Sequence, residues 1–220
     1  MKPIMLCIFA HPDDEAFGPA GTIALYAKTH DVYIVCVTNG DDQTNTEVKK
    51  GSLPALRNAE LRESAAVLGV KEVLFLDYRD GDLNNNQYHA VADKLTAIAA
   101  KLHPETMMTF EPRGVSGHLD HIAVSMISSY VFEHTESVRE LLYYCIDDAH
   151  RREFDSYFIY FPPGYPPEQI DRTIDVGPVW QQKIEAIHKH HTQQKDIDRI
   201  VPILDKLSKN EYFLVKKRGI

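Results

Sequence analysis

The alternation of short apolar runs with helical patterns most constrains the fold of this chain. Four runs rich in apolar residues lack the strict apolar–polar alternation of a half-exposed strand, which indicates strands covered on both faces. They are residues 4–10, 32–37, 73–76 and 106–110. Apolar residues recur at helical spacing over 53–68, which Gly69 ends, and over 90–102. This order predicts an α/β fold of the doubly wound class, with a mostly parallel sheet in the strand order 3-2-1-4-5.

The last third of the sequence has a different pattern. We predict strands over 143–146, 157–161 and 212–215, a proline-rich loop over 162–167 and a helix over 179–191. Because no internal repeat or long linker separates this part from the rest, we expect it to be a C-terminal α/β extension of the same sheet. A length of 220 residues with 44% hydrophobic side chains is consistent with one Rossmann-like domain over 1–220.

Composition and charge argue against several classes of protein. The chain has 24 basic and 32 acidic side chains, a formal net charge of -8, which disfavours a general nucleic-acid binder. No apolar run approaches the roughly 20 residues that cross a bilayer, and the first one is too short for a signal peptide, so we predict no membrane association. The three cysteines, Cys7, Cys36 and Cys145, lie in apolar runs without a C-x-x-C motif, which predicts reduced core cysteines in a cytoplasmic protein.

A concentration of polar groups follows the first strand directly. His11, Asp13, Asp14 and Glu15 stand at its carboxyl end, the edge of the sheet where ligands of doubly wound folds bind. One carboxylate could cap the next helix, and another could favour the helix dipole, but three carboxylates and a histidine exceed those roles. Like charges at the end of a buried strand repel one another unless a cation compensates. The pattern therefore predicts a divalent metal ion at this loop.

A second polar cluster, at residues 117–121, follows the fourth strand. If a helix begins there, the i, i+3 spacing of His118 and His121 places both rings on one face, although an H-x-x-H pair also occurs by accident on surfaces. In the strand order 3-2-1-4-5, the loops after strands one and four flank the binding crevice, so we expect the two clusters to meet. Histidine and carboxylate together suit zinc, and three protein ligands with one open position are typical of a catalytic site.

In these residues the sequence resembles the LmbE-like, or PIG-L, family of zinc-dependent N-deacetylases. The family signature, A-H-P-D-D-E after the first strand and G-H-x-D-H later, stands here at 10–15 and 117–121. Further matching pieces are T-N-G-D at 38–41, R-x-x-E at 57–60, L-G-V at 68–70, D-G at 80–81 and H-x-T-Q at 190–193. The resemblance covers residues 3–195 and implies that the whole chain is one LmbE-like deacetylase domain.

The resemblance also implies a role for each signature residue. His11, Asp14 and His121 would bind one Zn²⁺ per chain, and Asp13 would be the general base. A protonated His118 would stabilise the oxyanion or act as the acid.

Arg57 and Asp80 are the substrate contacts that the resemblance implies, through sugar hydroxyl groups. Each has an alternative. Arg57 could be a solvated helix charge paired with Glu60, and Asp80 with Gly81 could be a turn.

The implied activity is removal of the N-acetyl group from an N-acetylglucosamine-containing small molecule. Three alternatives remain open: an amidase of the same family that cleaves a larger amide such as a thiol conjugate, a non-enzymatic Rossmann-like binding module, and a magnesium-dependent phosphotransfer enzyme. The binding module has a G-x-x-G at 18–21 but no G-x-G-x-x-G motif, and the histidines speak against magnesium. The resemblance implies a homo-oligomer, a trimer or hexamer, with a small-molecule partner. The net charge and the lack of a long apolar run predict neither nucleic acid nor membrane as a partner.

Several polar residues have no single predicted role. Asp120 and Glu15 could orient site residues or serve only their helices. A second metal site at His188, His190 and His191 is disfavoured because side chains so close on a helix point in different directions, and the family pattern favours His190, Thr192 and Gln193 as an anchor for a loop near the site. The remaining histidines, predicted to be solvated or hydrogen-bonded without function, are His30, His89, His103, His134 and His150. Residues 157–167 could cover the substrate or form an oligomer contact.

Overall fold

The described residues of this computed structural model, 2–41, 52–154 and 159–219, form one seven-stranded sheet. Its strands are β1 (Ile4–Phe9), β2 (Asp31–Thr38), β3 (Glu72–Tyr78), β4 (Thr106–Phe110), β5 (Glu140–Cys145), β6 (Arg172–Asp175) and β7 (Asn210–Lys217). They lie in the order β3-β2-β1-β4-β5-β7-β6. The neighbours from β3 to β5 are parallel, whereas β7 is antiparallel to both β5 and β6. The predicted order 3-2-1-4-5 and the C-terminal extension of the sheet are confirmed.

Helices cover both faces of the sheet. They are α1 (Asp14–Phe17), α2 (Ala20–Ala27), α3 (Leu53–Leu68), α4 (Tyr88–Leu102), α5 (Leu119–His134), α6 (Asp148–Glu153), α7 (Trp180–Ile187) and α8 (Gln194–Leu204). Alternate residues of β1 enter opposite cores: Leu6 packs with α4 and α5, whereas Cys7 packs with α2, α3 and α7. This two-sided burial is why β1 shows no apolar–polar alternation in the sequence.

Helix α3 begins and ends where the sequence predicts. Gly69 follows it in the left-handed conformation, with φ 78°, and its backbone N–H bonds to the last turn of the helix. The predicted strand over 106–110 likewise matches β4 in full.

The C-terminal third departs from the prediction in several places. Of the predicted strand over 157–161, residues 157–158 lie outside the described residues and 159–161 are not in a strand. The helix predicted over 179–191 is shorter, because α7 is flanked by 3₁₀ turns at Gly177–Val179 and His191–Gln193. Strand β6 and helix α8 were not predicted. Helix α8 contains Pro202, a residue that argues against a helix when only the sequence is considered.

The three cysteines are free and buried, as predicted. Burial raises the pKa of each thiol, so none of them has the character of a nucleophile. Within the described ranges, no helix has both the length and the apolar character needed to span a bilayer.

Strand β7 is tied to the start of α2 by a buried ion pair. Glu211 accepts hydrogen bonds from the backbone N–H groups of Gly21 at 2.9 Å and Thr22 at 2.7 Å. Lys183 on α7 donates from Nζ to Glu211 at 2.7 Å and to the carbonyl of Gly18 at 2.6 Å. The C-terminal part of the chain therefore fixes the segment that follows the polar loop after β1.

Candidate active site

The polar loop after β1 is a tight turn held by one of its own carboxylates. Asp14 Oδ2 accepts from the backbone N–H groups of Ala10 at 3.0 Å and His11 at 2.8 Å. Asp13 has φ 148° and ψ -18°, a conformation that residues with side chains rarely adopt. A residue keeps such an unfavourable backbone conformation only where the surrounding structure holds it there. The loop therefore fixes the position of the Asp13 Cβ atom.

The two predicted clusters meet at the edge of the sheet. His11 Nδ1 lies 3.0 Å from His121 Nε2 and 3.7 Å from Asp14 Oδ2, and His121 Nε2 lies 3.1 Å from Asp14 Oδ1. Ligand atoms around a tetrahedral zinc are about 3.3 Å apart, given bonds of about 2.0–2.1 Å. The three side chains thus have the spacing that one metal ion requires.

The surroundings of both rings leave a lone pair facing this point. His121 Nδ1 lies 3.1 Å from the carbonyl oxygen of Gly114, which can only accept, so Nδ1 donates and a neutral ring has its lone pair on Nε2. His11 Nε2 lies 3.0 Å from Asp80 Oδ1 and 3.3 Å from Asp120 Oδ2, so Nε2 donates and a neutral ring has its lone pair on Nδ1. Such partners behind a histidine are typical of metal sites.

More than one donor set could hold an ion here. Donor atoms of His11, His118 and His121 all lie within 4.8 Å of one another, and so do those of His11, Asp80, His118 and Asp120. Neither of these groups includes Asp14. The second group, however, reaches Asp80 and Asp120 through the proton-bearing nitrogen of His11, which places them behind the ring.

Carboxylates around His11 favour positive charge at this position. Burial lowers the pKa of His11, but the hydrogen bonds to Asp120, Asp14 and Asp80 outweigh burial and raise it well above its ordinary value. Burial likewise raises the pKa of Asp14, while His121 and His11 lower it well below its usual range. A proton or a metal cation would satisfy this demand for positive charge.

A buried arginine holds the Asp13 carboxylate. Arg57 Nη2 donates to Asp13 Oδ2 at 2.8 Å and to the carbonyl of Pro12 at 2.9 Å, and Nη1 donates to the carbonyl of Gly40 at 3.0 Å. Gly40 has φ 62°, and a Cβ there would lie 2.7 Å from the guanidinium, so the T-N-G-D motif needs glycine at this position. Burial raises the pKa of Asp13 to about 6 against the lowering effect of Arg57. The predicted contact of Arg57 with a sugar hydroxyl stays a prediction.

His118 caps α5 rather than lying within the helix. Its Nδ1 accepts the backbone N–H of Asp120 at 3.0 Å, so the neutral ring has its proton on Nε2. Burial, together with the neighbouring His11 and His121, lowers the pKa of His118 to about 4. The structure therefore favours a neutral ring where the sequence analysis predicts a protonated one. A neutral Nε2–H still offers one hydrogen bond.

Two of the outlying motifs, R-x-x-E and H-x-T-Q, converge behind the loop after β1. Glu15 Oε1 accepts from Ser64 Oγ at 2.6 Å and His190 Nε2 at 2.8 Å. Glu60 accepts from the backbone N–H of Thr192 at 2.8 Å and its hydroxyl at 2.6 Å. These contacts fasten α3 and the turn after α7 to the site, which confirms the anchoring role predicted for the H-x-T-Q segment.

Two residues near the site were missed by the sequence analysis. Glu111, fully buried after β4, accepts from Tyr165 Oη at 2.7 Å and from the backbone N–H of Val115 at 3.0 Å, so it shapes the loop that leads to His118. His150 is hydrogen-bonded, as predicted, with Nδ1 2.6 Å from Asp147 Oδ1, but it also lines the cavity of the site, which was not predicted. A glutamate after a buried strand was the only local signal for either.

The site opens into a cavity of about 300 Å³, at the lower end of the range for small-molecule sites. We call two sets of its lining residues the polar part and the apolar part. The polar part consists of His11, Asp13, Asp14, Arg57, Asp80, His118 and His121. The apolar part consists of Phe17, Ile146, Phe154, Phe161, Ile200 and Leu204.

Comparison with known proteins points to one family. Residues 6–131 match the family model described as PIG-L, GlcNAc-PI de-N-acetylase. A relative from Actinosynnema mirum, a 1D-myo-inositol 2-acetamido-2-deoxy-alpha-D-glucopyranoside deacetylase, is 31% identical over 229 residues, covering 87% of this chain and 81% of that protein. A probable N-acetyl-alpha-D-glucosaminyl L-malate deacetylase 2 from Bacillus cereus is 33% identical over 129 residues, covering 56% of this chain and 58% of that protein.

A solved structure shares the fold over nearly the whole chain. The N,N'-diacetylchitobiose deacetylase from Pyrococcus horikoshii superimposes with a TM-score of 0.76 at 24% sequence identity, covering 97% of this chain and 84% of that one. At this level of identity, the likeness establishes the architecture and leaves the chemistry to the residues of the site.

Proposed function

Because the chain belongs to the PIG-L family, we propose that it is a metal-dependent N-deacetylase that removes the acetyl group from an N-acetylglucosamine-containing small molecule. The observation that carries the proposal is the closeness of His11 Nδ1, His121 Nε2 and the Asp14 carboxylate, with the Asp13 carboxylate on the wall of the same cavity. The two curated relatives described above are both named as deacetylases of N-acetylated glucosamine conjugates.

We assign the metal site to His11, Asp14 and His121, with one Zn²⁺ per chain. Two nitrogen donors and one carboxylate oxygen suit zinc, and three protein ligands leave a position for substrate. Asp80 and Asp120 then orient His11 from behind, through Nε2. When bound, the ion supplies Lewis acidity for the amide carbonyl and for a water molecule.

The protein side chains carry the proton through the reaction. Asp13, held by Arg57, accepts a proton from the attacking water as its oxygen adds to the amide carbon. His118 donates a hydrogen bond from Nε2–H to the carbonyl oxygen as negative charge develops there. The carbon–nitrogen bond then breaks, and the proton taken by Asp13 passes to the leaving nitrogen, which gives acetate and the free amine.

Metal analysis and acetate release test this proposal together. We expect about one zinc ion per purified chain, loss of acetate release from N-acetylglucosamine conjugates after chelation, and recovery when Zn²⁺ is added back. A chain that holds no metal and gains no activity with Zn²⁺ would contradict the proposal. Cleavage of a thiol conjugate without acetate release from any sugar conjugate would favour the amidase alternative.

Two variants at adjacent carboxylates separate the assigned roles. Asp14→Ala should lose both metal and activity, whereas Asp13→Ala should keep the metal and lose activity. The reverse pattern would exchange the two assignments.

We also propose that the chain forms a homo-oligomer, a trimer or hexamer. The support is one exposed apolar face of α5, where Leu119, Met126 and Tyr130 are 74%, 53% and 48% exposed at helical spacing. Light scattering should give a mass of three or six chains, and a monomer at all concentrations would contradict this assignment.

A further inference from the structure

The apolar part of the cavity wall is continuous with a small hydrophobic core. Phe17, Phe154 and Ile200 pack, half-buried, against a cluster that includes Leu204 and Ile197. Side chains that line a cavity and rest on a packed core keep their shape when a ligand enters. This wall is therefore a preformed apolar surface beside the proposed metal site.

Arg151 holds the backbone of two phenylalanines of this wall, Phe154 and Phe161, by hydrogen bonds. Its guanidinium donates from Nη1 to the carbonyl of Phe154 at 2.8 Å and from Nη2 to the carbonyl of Phe161 at 3.1 Å, and Nε donates to the carbonyl of Pro162 at 2.8 Å. The same group lies 3.9 Å from the centre of the Phe161 ring. Both phenylalanines are thus held by their backbones, which lowers the entropic cost of binding against them.

Charged groups close to the apolar part have partners of opposite charge or hydrogen-bond donors. Asp147 accepts from His150 at 2.6 Å, and Asp196 lies 3.0 Å from Arg199 Nη2. Arg57, in the polar part of the cavity, is held by Asp13 at 2.8 Å. Among the described lining residues no lysine occurs, and the lining arginines, Arg57 and Arg199, each face a carboxylate that also lines the cavity. A carboxylate on a ligand would lose water at this wall without gaining a dedicated counter-charge, which is costly.

We propose, on the basis of the deacetylase function above, that the apolar part binds the aglycone of the amino sugar and selects an apolar, uncharged aglycone over one that bears a carboxylate. The reaction places the amide carbonyl at the metal site, and an acetyl group extends only one methyl beyond it. The sugar and its aglycone are the remaining bulk that can reach the apolar wall.

Matched glycosides test this selection. The substrates are the methyl, phenyl and 4-carboxyphenyl α-glycosides of N-acetylglucosamine, with N-octanoylglucosamine as a fourth, and the readout is kcat/KM for release of the acid. We expect the phenyl glycoside to exceed both the methyl and the 4-carboxyphenyl glycosides by about tenfold or more. Equal or faster reaction of the 4-carboxyphenyl glycoside overturns the proposal. Preference for the octanoyl amide over the phenyl glycoside also overturns it, because the wall would then bind an acyl chain.

A pair of neighbouring variants on α8 supplies the control. Ile200 lines the cavity, whereas Val201 packs against the same cluster without lining it. Ile200→Ser should lower the phenyl-to-methyl ratio of kcat/KM about tenfold, and Val201→Ser should leave that ratio as it is. Thermal unfolding of both variants shows whether they fold. An unchanged ratio in folded Ile200→Ser overturns the proposal.

The methyl glycoside separates this proposal from the function on which it rests. Acetate release from it without any aglycone preference leaves the deacetylase function in place and overturns the selection. Failure of every glycoside to release acetate overturns both.

Discussion

The polar and apolar parts of one cavity wall are built in different ways. In the polar part, side chains are fixed by several directional bonds: Asp14, for example, accepts from the backbone of Ala10 at 3.0 Å and His11 at 2.8 Å, and its Oδ1 lies 3.1 Å from His121 Nε2. In the apolar part, side chains such as Ile200 are placed by packing, which has no preferred direction. This difference indicates that the polar part carries out the reaction and the apolar part selects the substrate, so that each can be changed by mutation without the other.

From this difference we expect substitutions in the two parts to change kcat and KM in different ways. Substitutions in the polar part should lower kcat for every substrate, because they act on the reacting amide. Substitutions in the apolar part should act according to the aglycone, mainly through KM. The following experiments test that division, from the largest expected effect to the smallest.

Asp13→Asn should have the largest effect. An amide cannot accept the proton of water, so kcat should fall about 10²–10⁴-fold for the methyl and phenyl glycosides alike, with metal content unchanged. Acetate release and metal analysis measure both. Asp93→Asn, at an exposed position of α4, is the control. A loss that depends on the aglycone would break the comparison.

Lys183→Met tests how much the buried ion pair between α7 and β7, which fixes the segment after the polar loop, contributes to the free energy of unfolding. The substitution leaves Glu211 buried without its cation, and we expect a loss of about 3–5 kcal/mol in the free energy of unfolding. Urea denaturation measures it. Lys189→Met removes a loose pair with Glu185, at 3.9 Å, and should cost less than about 1 kcal/mol. Similar losses in the two variants would contradict the role given to the buried pair.

Arg57→Lys distinguishes two roles for one residue. A lysine cannot bond to Asp13, Pro12 and Gly40 together, so the Asp13 carboxylate should lose its orientation and kcat should fall about 10–100-fold. Steady-state kinetics on the methyl glycoside measure the change. A rise in KM with kcat retained would instead indicate that Arg57 binds a sugar hydroxyl, as the family resemblance implies.

Phe161→Leu should have the smallest effect. It trims an aromatic ring from the apolar part, so the phenyl-to-methyl ratio of kcat/KM should fall by less than about tenfold. Tyr130→Leu, on the exposed face of α5, is the control. An equal loss for both glycosides would show that the apolar part also serves the reaction.

Sequence alone predicts those features that depend on local pattern or on sheet topology. Both ends of helix α3 are predicted correctly because its apolar spacing ends at Gly69. Glycine adopts the left-handed conformation that ends a helix more readily than residues with a side chain. The meeting of His11 and His121 is predicted because the ends of β1 and β4 are adjacent in the strand order. Neither inference needs side-chain coordinates.

Features that depend on distant partners could not be predicted. Glu111 and Tyr165 lie 54 residues apart, and Lys183 and Glu211 lie 28 apart, with no local pattern that connects them. The lowered pKa of His118 depends on its burial in the folded chain and on the closeness of the His11 and His121 rings. Long-range contacts of this kind arise only when the chain has folded.

The position of β7 in the sheet has a consequence for folding during translation. This strand lies between β5 and β6 in the sheet, yet it is translated after every other described strand. Until it emerges, β5 presents an open edge, β6 has no neighbour, and α2 lacks the carboxylate that Glu211 brings to its first turn. A nascent chain, or one that ends before Asn210, therefore exposes unpaired strands that favour aggregation until β7 is added to the sheet.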